Sequence, residues 1–299
     1  MSLIINIDLS FFIADTLQIQ LKVLRLDSED VIAGGNKSYK LKYNIEEARN
    51  QNKKCIVTLG GAFSNHIAAV ARQCKRENLK SVGIIRGDDL LPRNITLKRA
   101  EEDGMKLIFV SRKDYRELRT ADETLLQSLI NPLLEQNTID TATCYLVPEG
   151  GNNRLGFKGC REILNQQKAD YDFVCCAAGT GTTLAGLAAS IKPHQTAVGI
   201  AAVKDYDFIN NNISTYLSHD HLHGTYKLIM DYTFGGFGKS NAELRDFTEE
   251  FSTLTSIAIE PVYTGKMFYG ILQMIKKGEF PEGSNILCVH TGGLQYLQP

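Results

Sequence analysis

A short run of glycines and threonines, Gly179, Thr180, Gly181, Thr182 and Thr183, stands where a strand pattern passes into a helix pattern. Small residues let backbone N–H groups approach an anion closely, and the helix dipole favours negative charge there. The run therefore predicts a phosphate-binding loop. It lacks the Gly-Lys-Ser/Thr ending of a P-loop, and Leu184 replaces the third glycine of a dinucleotide fingerprint, so neither ATP nor NAD is supported. A glycine turn needed only for tight packing is the alternative.

A second junction between a strand pattern and a helix pattern carries Ser64, Asn65 and His66. Ser64 is placed to cap the helix, while the adjacent N–H groups face the carboxyl edge of the predicted sheet. This arrangement predicts a second anion site, suited to a carboxylate. Simple capping by Ser64, with His66 as a hydrogen-bonded structural residue, is the alternative.

Several lysines follow a pair of glycines in the segment GGNKSYKLK at 34–42, just before a helical pattern over 43–48. An amine held near two anion sites can form a Schiff base with a carbonyl group. Composition does not decide between Lys37, Lys40 and Lys42, and a solvated basic turn is the alternative.

The elements around these segments indicate how they are positioned. Short apolar runs followed by glycines and then by helical patterns predict an α/β fold with parallel sheets. We predict strands at 55–59, 81–86, 106–110 and 173–178 and a polar helical stretch at about 114–138. The segment 147–153 interrupts regular structure, as a crossing between domains does. We therefore predict a smaller α/β domain at 44–147, inserted into a larger domain formed by 1–43 and 148–299.

Composition sets the class of protein. The 299 residues are 43% hydrophobic, and 33 basic against 34 acidic residues give a formal net charge of -1. This balance argues against partners such as nucleic acid or an anionic membrane surface. No apolar run approaches the roughly 20 residues of a spanning helix, and the first residues carry no basic leader. We expect a cytoplasmic protein.

Cysteine and histidine usage gives no metal site. The seven cysteines are odd in number and show no paired CxxC spacing, which favours reduced core thiols over disulfides. The segment His219-Asp220-His221-Leu222-His223 has two histidines at helical spacing and an acid, a pattern that can bind zinc. No further ligand is evident nearby, so a solvated loop is the preferred interpretation.

Together these segments resemble the family of 1-aminocyclopropane-1-carboxylate deaminase and D-cysteine desulfhydrase, which are pyridoxal phosphate enzymes. The resemblance covers nearly the whole chain, through GGNKSYKL at 34–41, TLGGAFSNH at 58–66, PEGGNN at 148–153, AAGTGTT at 177–183, PVYTGK at 261–266 and HTGG at 290–293. It implies the tryptophan synthase β-like fold (fold type II), with two open, twisted, mostly parallel sheets flanked by helices. It also implies pyridoxal 5'-phosphate as cofactor, a small amino acid as substrate, and a homodimer.

The same resemblance assigns roles to residues of this chain. Lys37 matches the lysine of the GGNK motif, which binds the cofactor as a Schiff base and later moves the α-proton of the substrate. Asn65 matches the asparagine that hydrogen-bonds the ring oxygen of the cofactor, and Ser64 with His66 lies where the family holds the substrate carboxylate. Tyr263 matches the tyrosine that lies over the cofactor and can donate a proton.

The remaining predicted cofactor contacts are hydroxyls and the glycine loop. The loop Gly179–Thr183 matches the family's phosphate-binding loop, Thr291 lies where the fold supplies a group near the pyridine nitrogen, and Thr264 is the neighbouring candidate. The resemblance thus predicts catalytic roles for Lys37, Tyr263 and Ser64, and cofactor contacts from Lys37, Asn65, Gly179, Thr180, Gly181, Thr182, Thr183, Tyr263, Thr264 and Thr291. Substrate contacts are predicted for Ser64, Asn65, His66 and Phe237.

Two departures bear on the reaction. The deaminases resemble one another in having PVYEGK, whereas this chain has Thr264 in place of the glutamate. A carboxylate near the ring nitrogen stabilises a carbanion more strongly than a hydroxyl does, so Thr264 favours the D-cysteine desulfhydrase branch, in which β-elimination gives pyruvate, ammonia and sulfide. Phe237 stands where the family usually has an active-site tyrosine. The alternatives are 1-aminocyclopropane-1-carboxylate deamination, another β-elimination, racemisation, and a protein that holds the cofactor without turnover.

Overall fold

The computed structural model describes residues 3–14, 17–28, 30, 32, 34–167, 169–218 and 224–294. The chain divides into two compact units, the first formed by Met1–Tyr39 with Phe157–Pro299 and the second by Lys40–Gly156. The domain boundaries expected from the sequence, with 44–147 inserted between 1–43 and 148–299, stay a prediction.

The described chain contains ten strands and ten α-helices, which alternate over most of its length. The strands are β1 (Leu3–Ile7), β2 (Gln20–Arg25), β3 (Cys55–Gly61), β4 (Lys80–Arg86), β5 (Met105–Val110), β6 (Cys144–Val147), β7 (Phe173–Ala178), β8 (Thr196–Ala201), β9 (Thr225–Ile229) and β10 (Asn285–His290). The helices are α1 (Asn36–Asn50), α2 (Asn65–Arg76), α3 (Ile95–Glu102), α4 (Arg112–Thr120), α5 (Glu123–Gln136), α6 (Arg154–Cys160), α7 (Thr182–Ala188), α8 (Tyr206–Leu217), α9 (Ala242–Thr255) and α10 (Thr264–Lys276).

The first unit contains a six-stranded sheet in the order β1-β2-β10-β7-β8-β9. Only the pairing of β1 with β2 is antiparallel among these neighbours, and the other four pairings are parallel. The carboxyl ends of β2, β10, β7 and β8 therefore meet at one edge of the sheet. In open α/β sheets that edge is where ligands bind.

The central strands of this sheet are apolar on both faces because helices cover both faces. In β7 and β10 every residue except the first is buried, which is typical of parallel strands inside an α/β layer structure. Helix α10 contributes side chains to one of the two hydrophobic clusters that the sheet forms, and α7 contributes side chains to the other. The sheet edge that carries the loops is thus held by a rigid core.

The second unit contains a four-stranded parallel sheet in the order β5-β4-β3-β6. Its two faces form separate clusters of buried side chains, one with α2 and α3 and the other with α4 and α5. The predicted strands at 55–59, 81–86 and 106–110 are all present, and the predicted polar helical stretch consists of α4 and α5. The α/β fold with mostly parallel sheets is confirmed.

Two features were sought among the described residues: a helix that could cross a membrane and a cluster of side chains that could hold a metal ion. None of their helices combines the length and apolar character needed to cross a membrane. Within the same ranges no group of three or more histidine, cysteine or acidic side chains is arranged to hold a metal ion. The histidine segment at 219–223 lies outside the described residues. All seven cysteines are buried and form no disulfide, in agreement with the core thiols that the sequence predicts.

Candidate active site

Helix α1 begins at the carboxyl edge of the first unit's sheet. Gly35 has a φ of 71°, and a Cβ at this position would lie 2.1 Å from the carbonyl oxygen of Thr291. Only glycine fits such a turn without strain. The backbone N–H of Asn36 then donates to that same carbonyl oxygen at 3.2 Å. Because of this docking, the helix starts at Asn36, earlier than the helical pattern at 43 indicates.

The side chain of Asn36 connects Lys37 with the glycine loop. Lys37 Nζ donates to Asn36 Oδ1 at 3.0 Å, and Asn36 Nδ2 donates to Thr183 Oγ1 at 2.8 Å. Asn36 is buried, whereas Lys37 is half-buried. Asn36 is not among the predicted site residues, although it stands directly before the lysine. The structure therefore brings the predicted amine and the predicted anion loop together.

The other two lysines of the segment have different surroundings. Lys40 is buried and its Nζ donates to the carbonyl oxygen of Gly150 at 3.1 Å within the second unit. Lys42 is exposed. The alternative of a solvated basic turn is thus wrong for Lys40. This residue lies in helix α1, and its ammonium is buried against the carbonyl group of Gly150.

The glycine loop has the shape expected of an anion-binding turn. Gly181 has a φ of 87°, and a Cβ there would lie 2.9 Å from the carbonyl oxygen of Ile209. The Ala185 N–H donates to Gly181 O at 2.9 Å and begins the bonding pattern of α7, so the preceding N–H groups at this helix start have no intrahelical acceptor. The hydroxyls of Thr180 and Thr182 lie 2.9 Å apart. Backbone N–H groups and hydroxyls are the donors that a phosphate needs.

Tyr263 lies against this loop. A Cβ on Gly179 would be 3.0 Å from Tyr263 Cε1, so the glycine makes room for the aromatic ring. Phe237 packs edge-to-face on Tyr263, with ring centroids 5.9 Å apart, and 51% of Phe237 is exposed. Two of the aromatic residues predicted for the site therefore meet beside the loop.

Thr264 is committed to a turn at the start of α10. Its hydroxyl accepts from the Glu260 N–H at 3.0 Å and lies 3.2 Å from Glu260 Oε1, to which it donates. The Glu260 carboxylate is fully buried and also accepts from the N–H groups of Val262, Tyr263 and Thr264 at 2.6, 2.8 and 2.7 Å. Such a carboxylate satisfies the unpaired N–H groups of a helix start. Glu260 is not predicted from the sequence, because an acid outside the glycine motifs carries no distinct signal.

A buried lysine fixes the turn before Phe237. Lys266 has no exposed surface, and its Nζ donates to the carbonyl oxygens of Ala202 at 3.1 Å and Gly236 at 2.7 Å. Burial lowers the pKa of Lys266 from 10.5 to about 8, while the charge of Glu260 acts in the opposite direction. The ammonium thus ties the end of β8 to the glycine-rich turn at 235–238.

This lysine gives a prediction on stability and pH. Because the unfolded chain keeps its proton on Lys266 up to about pH 10.5 while the folded chain releases it near 8, the unfolded state binds more protons in between. The free energy of unfolding should therefore rise with pH across this window, by linkage. We expect Lys266→Met to lack that part of the rise in denaturant unfolding curves, and the exposed Lys276→Met to keep it. Equal pH dependence in both variants would contradict the assignment.

Thr291 follows β10 directly and is mostly buried. Its carbonyl oxygen receives the Asn36 N–H, whereas its hydroxyl makes no hydrogen bond within the part of the chain that the structure describes. Between the two predicted partners of the pyridine nitrogen, Thr291 has the hydroxyl that is not committed elsewhere. The Thr264 hydroxyl already has Glu260 as its acceptor.

The second unit holds the other predicted contacts at the start of α2. Ser64 Oγ accepts from the N–H groups of His66 and Ile67 at 3.2 and 3.4 Å, so it caps the helix as expected. His66 is buried, and its Nε2 lies 2.9 Å from the hydroxyl of Thr58. Asn65 Oδ1 is buried and has no hydrogen-bond partner among the described residues. An unsatisfied buried acceptor of this kind calls for a donor from a ligand or water.

Comparisons with known proteins show the family of the chain. The model of a family described as pyridoxal-phosphate dependent enzyme matches residues 14–292. The 1-aminocyclopropane-1-carboxylate deaminase of Ralstonia pickettii is 28% identical over an alignment 315 residues long. The alignment covers 94% of this chain and 88% of that protein. The mitochondrial bifunctional D-cysteine desulfhydrase/1-aminocyclopropane-1-carboxylate deaminase of Arabidopsis thaliana is 29% identical over 304 residues, which cover 92% of this chain and 72% of the relative.

A solved structure shares the fold. The crystal structure of a homologue of 1-aminocyclopropane-1-carboxylate deaminase superposes with a TM-score of 0.78 at 24% identity and covers 98% of this chain and 90% of its own. The residues present fit pyridoxal phosphate. Within the first unit, Lys37 offers an amine for the aldehyde, and the Gly179–Thr183 loop offers N–H groups and hydroxyls for the phosphate. Within the second unit, the buried Asn65 Oδ1 has no partner among the described residues and suits a donor group of a ligand.

Proposed function

Because the chain belongs to the family of pyridoxal-phosphate dependent enzymes and uses pyridoxal phosphate as its cofactor, we propose that it is a lyase that converts D-cysteine to pyruvate, ammonia and sulfide. The observation that carries the cofactor part of the proposal is the hydrogen-bonded chain from Lys37 through Asn36 to Thr183, which connects an amine with a loop that suits a phosphate. D-Cysteine as substrate is supported by Thr264, which stands where the deaminases have a glutamate.

We propose the following residues as contacts of the cofactor and the substrate. Lys37 binds the aldehyde carbon, and the loop Gly179–Thr183 binds the phosphate. Asn65 contacts the ring oxygen, Thr291 faces the ring nitrogen, and Tyr263 lies over the ring. The segment at 64–66 binds the substrate carboxylate through N–H groups at the start of α2, and Phe237 borders the substrate. For Thr264 the hydroxyl committed to Glu260 supports an indirect role.

Pyridoxal phosphate, when bound, withdraws electrons from the α-carbon of the substrate and makes its α-proton acidic. Lys37 Nζ accepts that proton, and Asn36 Oδ1, at 3.0 Å, keeps the amine oriented. The Tyr263 hydroxyl donates a proton to the departing sulfur as the Cβ–S bond breaks. Water then supplies the keto oxygen of pyruvate and the nitrogen leaves as ammonia, so D-cysteine and one water balance the three products.

The Tyr263 role gives a second prediction. In Tyr263→Phe the ring can still pack against Gly179 and Phe237, while the hydroxyl is lost. We expect kcat for sulfide release to fall by about 10²- to 10⁴-fold, the range of a general acid, with the absorbance of the bound cofactor retained. The exposed Tyr206→Phe serves as control. An unchanged kcat in Tyr263→Phe would assign the proton to another group.

The proposed reaction is tested by keto-acid formation from two substrates. The purified protein loaded with pyridoxal phosphate is incubated with D-cysteine and, separately, with 1-aminocyclopropane-1-carboxylate. Pyruvate together with sulfide from D-cysteine supports the proposal. 2-Oxobutanoate from 1-aminocyclopropane-1-carboxylate supports the deaminase reaction instead. That substrate has no α-proton for Lys37 to remove. Cofactor absorbance without keto acid from either substrate identifies a different amino acid or a protein without turnover.

We also propose that the protein is cytoplasmic and, from the family resemblance, that it is a homodimer. Cell fractionation tests the location, and sedimentation velocity of the cofactor-loaded protein tests the dimer. A monomer that is fully active would contradict a catalytic need for the dimer.

A further inference from the structure

Two cysteines face each other across neighbouring strands of the second unit's sheet. Cys55 begins β3 and Cys144 begins β6, and the two residues are partners in the parallel register of these strands. Both side chains belong to the hydrophobic cluster that includes α4 and α5, so they lie on the same face of the sheet. Neighbouring strands are about 4.8 Å apart, within the roughly 4.4–6.8 Å between Cα atoms that a disulfide spans. The fold therefore places the two thiols where a disulfide can form.

The backbone before each of these cysteines is held together by hydrogen bonds. The Lys54 N–H donates to the carbonyl oxygen of Thr143 at 2.9 Å, and Lys53 Nζ donates to the carbonyl oxygen of Ala142 at 2.7 Å. These bonds fix the amino ends of β3 and β6 relative to each other. A bond between the two sulfur atoms would therefore join strands that are already paired.

The Cys144 thiol is the more acidic of the two. A hydrogen bond from the Cys55 thiol lowers the pKa of Cys144 from 9.0 to about 7, although burial acts in the opposite direction. The Thr143 hydroxyl and the charge of Lys53 also lower this pKa. In its thiol form Cys144 donates to the carbonyl oxygen of Asp140 at 3.4 Å, and this proton leaves when the thiolate forms. Because the thiolate is the nucleophile in cysteine chemistry, Cys144 is the sulfur that reacts first.

A second cysteine pair shows why the position along the strand matters. Cys175 and Cys288 are also partners in a parallel register, between β7 and β10. Neither has any exposed surface, the residues on both sides of each are buried, and burial raises the pKa of Cys175 well above its ordinary value. Cys55 and Cys144 are 3% and 7% exposed, and each directly follows a residue that is not buried. A small oxidant therefore reaches the first pair when the strand starts fray, but reaches the second only when the core opens.

We propose that Cys55 and Cys144 are a modification site, a thiol pair that a hydroperoxide oxidises to a disulfide. The Cys144 thiolate attacks the peroxide, so that a sulfur–oxygen bond forms, the oxygen–oxygen bond breaks, and a sulfenic acid and an alcohol result. The alcohol takes up the proton that Cys144 released. The Cys55 sulfur then attacks the Cys144 sulfur, and the hydroxyl group leaves as water with the Cys55 proton. The two thiols together lose two electrons, which reduce one peroxide, and a dithiol reverses the bond.

The disulfide is tested on the unaltered, cofactor-loaded protein, and the test is independent of the proposed function. The protein is treated with hydrogen peroxide, its remaining thiols are alkylated, and a digest is analysed by mass spectrometry without added reductant. We expect a peptide pair joined through Cys55 and Cys144, and a protein mass lower by about 2 Da for the two hydrogens lost, both reversed by dithiothreitol. The pair Cys175 and Cys288 should react at least about 100-fold more slowly, because its exposure requires opening of the core. Folded protein in which Cys55 and Cys144 stay reduced, or in which the core pair reacts equally fast, would overturn the proposal.

Single substitutions test the order of the two steps. Cys55→Ser lacks the second thiol, so we expect its oxidation to stop at a sulfenic acid on Cys144, which dimedone traps. Cys144→Ser should give neither the dimedone adduct nor the joined peptides. The matched control is Cys74→Ala in the same unit, a buried thiol whose pKa burial raises to about 12, and this variant should keep the full yield of joined peptides. A dimedone adduct on Cys55 in Cys144→Ser would overturn the assigned order, and if a variant does not fold, the peptides of the unaltered protein decide.

Discussion

Replacing Lys37 with alanine is expected to remove the absorbance band of the lysine-bound cofactor and to lower keto-acid production by at least about 10⁴-fold, the upper range for loss of a general base. The variant loses the amine that, in the proposed function, binds the aldehyde and accepts the α-proton. The measurements are an absorbance spectrum between roughly 300 and 500 nm, where free and lysine-bound cofactor differ, and a pyruvate assay with D-cysteine.

The matched control is Lys42→Ala, five residues along the same helix. Lys42 is exposed, and its ammonium lies over the ring of Tyr43 at 4.9 Å from the centroid, so its loss should leave both band and rate in place. A band that survives in Lys37→Ala, or one that disappears in Lys42→Ala, would show that another amine binds the cofactor. Lys40 is a poorer control because its ammonium is buried against Gly150 O.

Glu260→Gln is expected to lower the free energy of unfolding by about 2–4 kcal/mol, the range for breaking a buried charged group away from its partners. The carboxylate accepts from three backbone N–H groups through two oxygens. The amide keeps only one acceptor oxygen and turns an NH₂ group toward an N–H donor. The substitution also removes the negative charge that raises the pKa of buried Lys266. Denaturant unfolding measures the loss.

The exposed Glu250→Gln on α9 should stay within about 0.5 kcal/mol of the unaltered protein. A loss that small in Glu260→Gln would show that water replaces the carboxylate. The double variant with Lys266→Met tests the coupling of the two charges. If the lysine and the carboxylate interact, the double variant should lose less stability than the sum of the single losses.

The parts of the site that the sequence predicted are those with local signals. Glycines that end a strand and begin a helix mark the loop at 179–183, and the GGNK motif marks Lys37. The strand pairing of β2 with β10 has no such signal, because the residues in register are about the whole chain apart. Arg25 and His290, which this pairing places opposite one another, therefore have no joint signal in the sequence.

Asn36 and Glu260 were missed for a different reason. Asn36 Nδ2 meets Thr183 across 147 residues, and the asparagine itself is an ordinary residue at a turn. Glu260 binds N–H groups only two to four residues ahead, yet an isolated acid before a proline is more often solvated than buried. A buried polar group is recognised by its partners, and the partners become visible only when the chain is folded.

The Thr264–Glu260 contact bears on the change from one branch of the family to the other. A glutamate introduced at 264 would place a second carboxylate beside the buried one, since the Thr264 hydroxyl lies 3.2 Å from Glu260 Oε1. Two carboxylates that close cannot both ionise without a large rise in one pKa. We therefore expect Thr264→Glu alone to raise the pKa of one of these two carboxyls.

The half-exposed ring of Phe237 also offers an optical handle. The chain has no tryptophan, so Phe237→Trp would place the sole indole of the protein edge-on to Tyr263, where the centroids of the present rings are 5.9 Å apart. Emission from that indole would be quenched by energy transfer to a chromophore bound beside the loop. Titration of the emptied protein would then report cofactor uptake in real time, and rapid mixing with an amino acid would follow the turn at 235–238 during a single catalytic cycle.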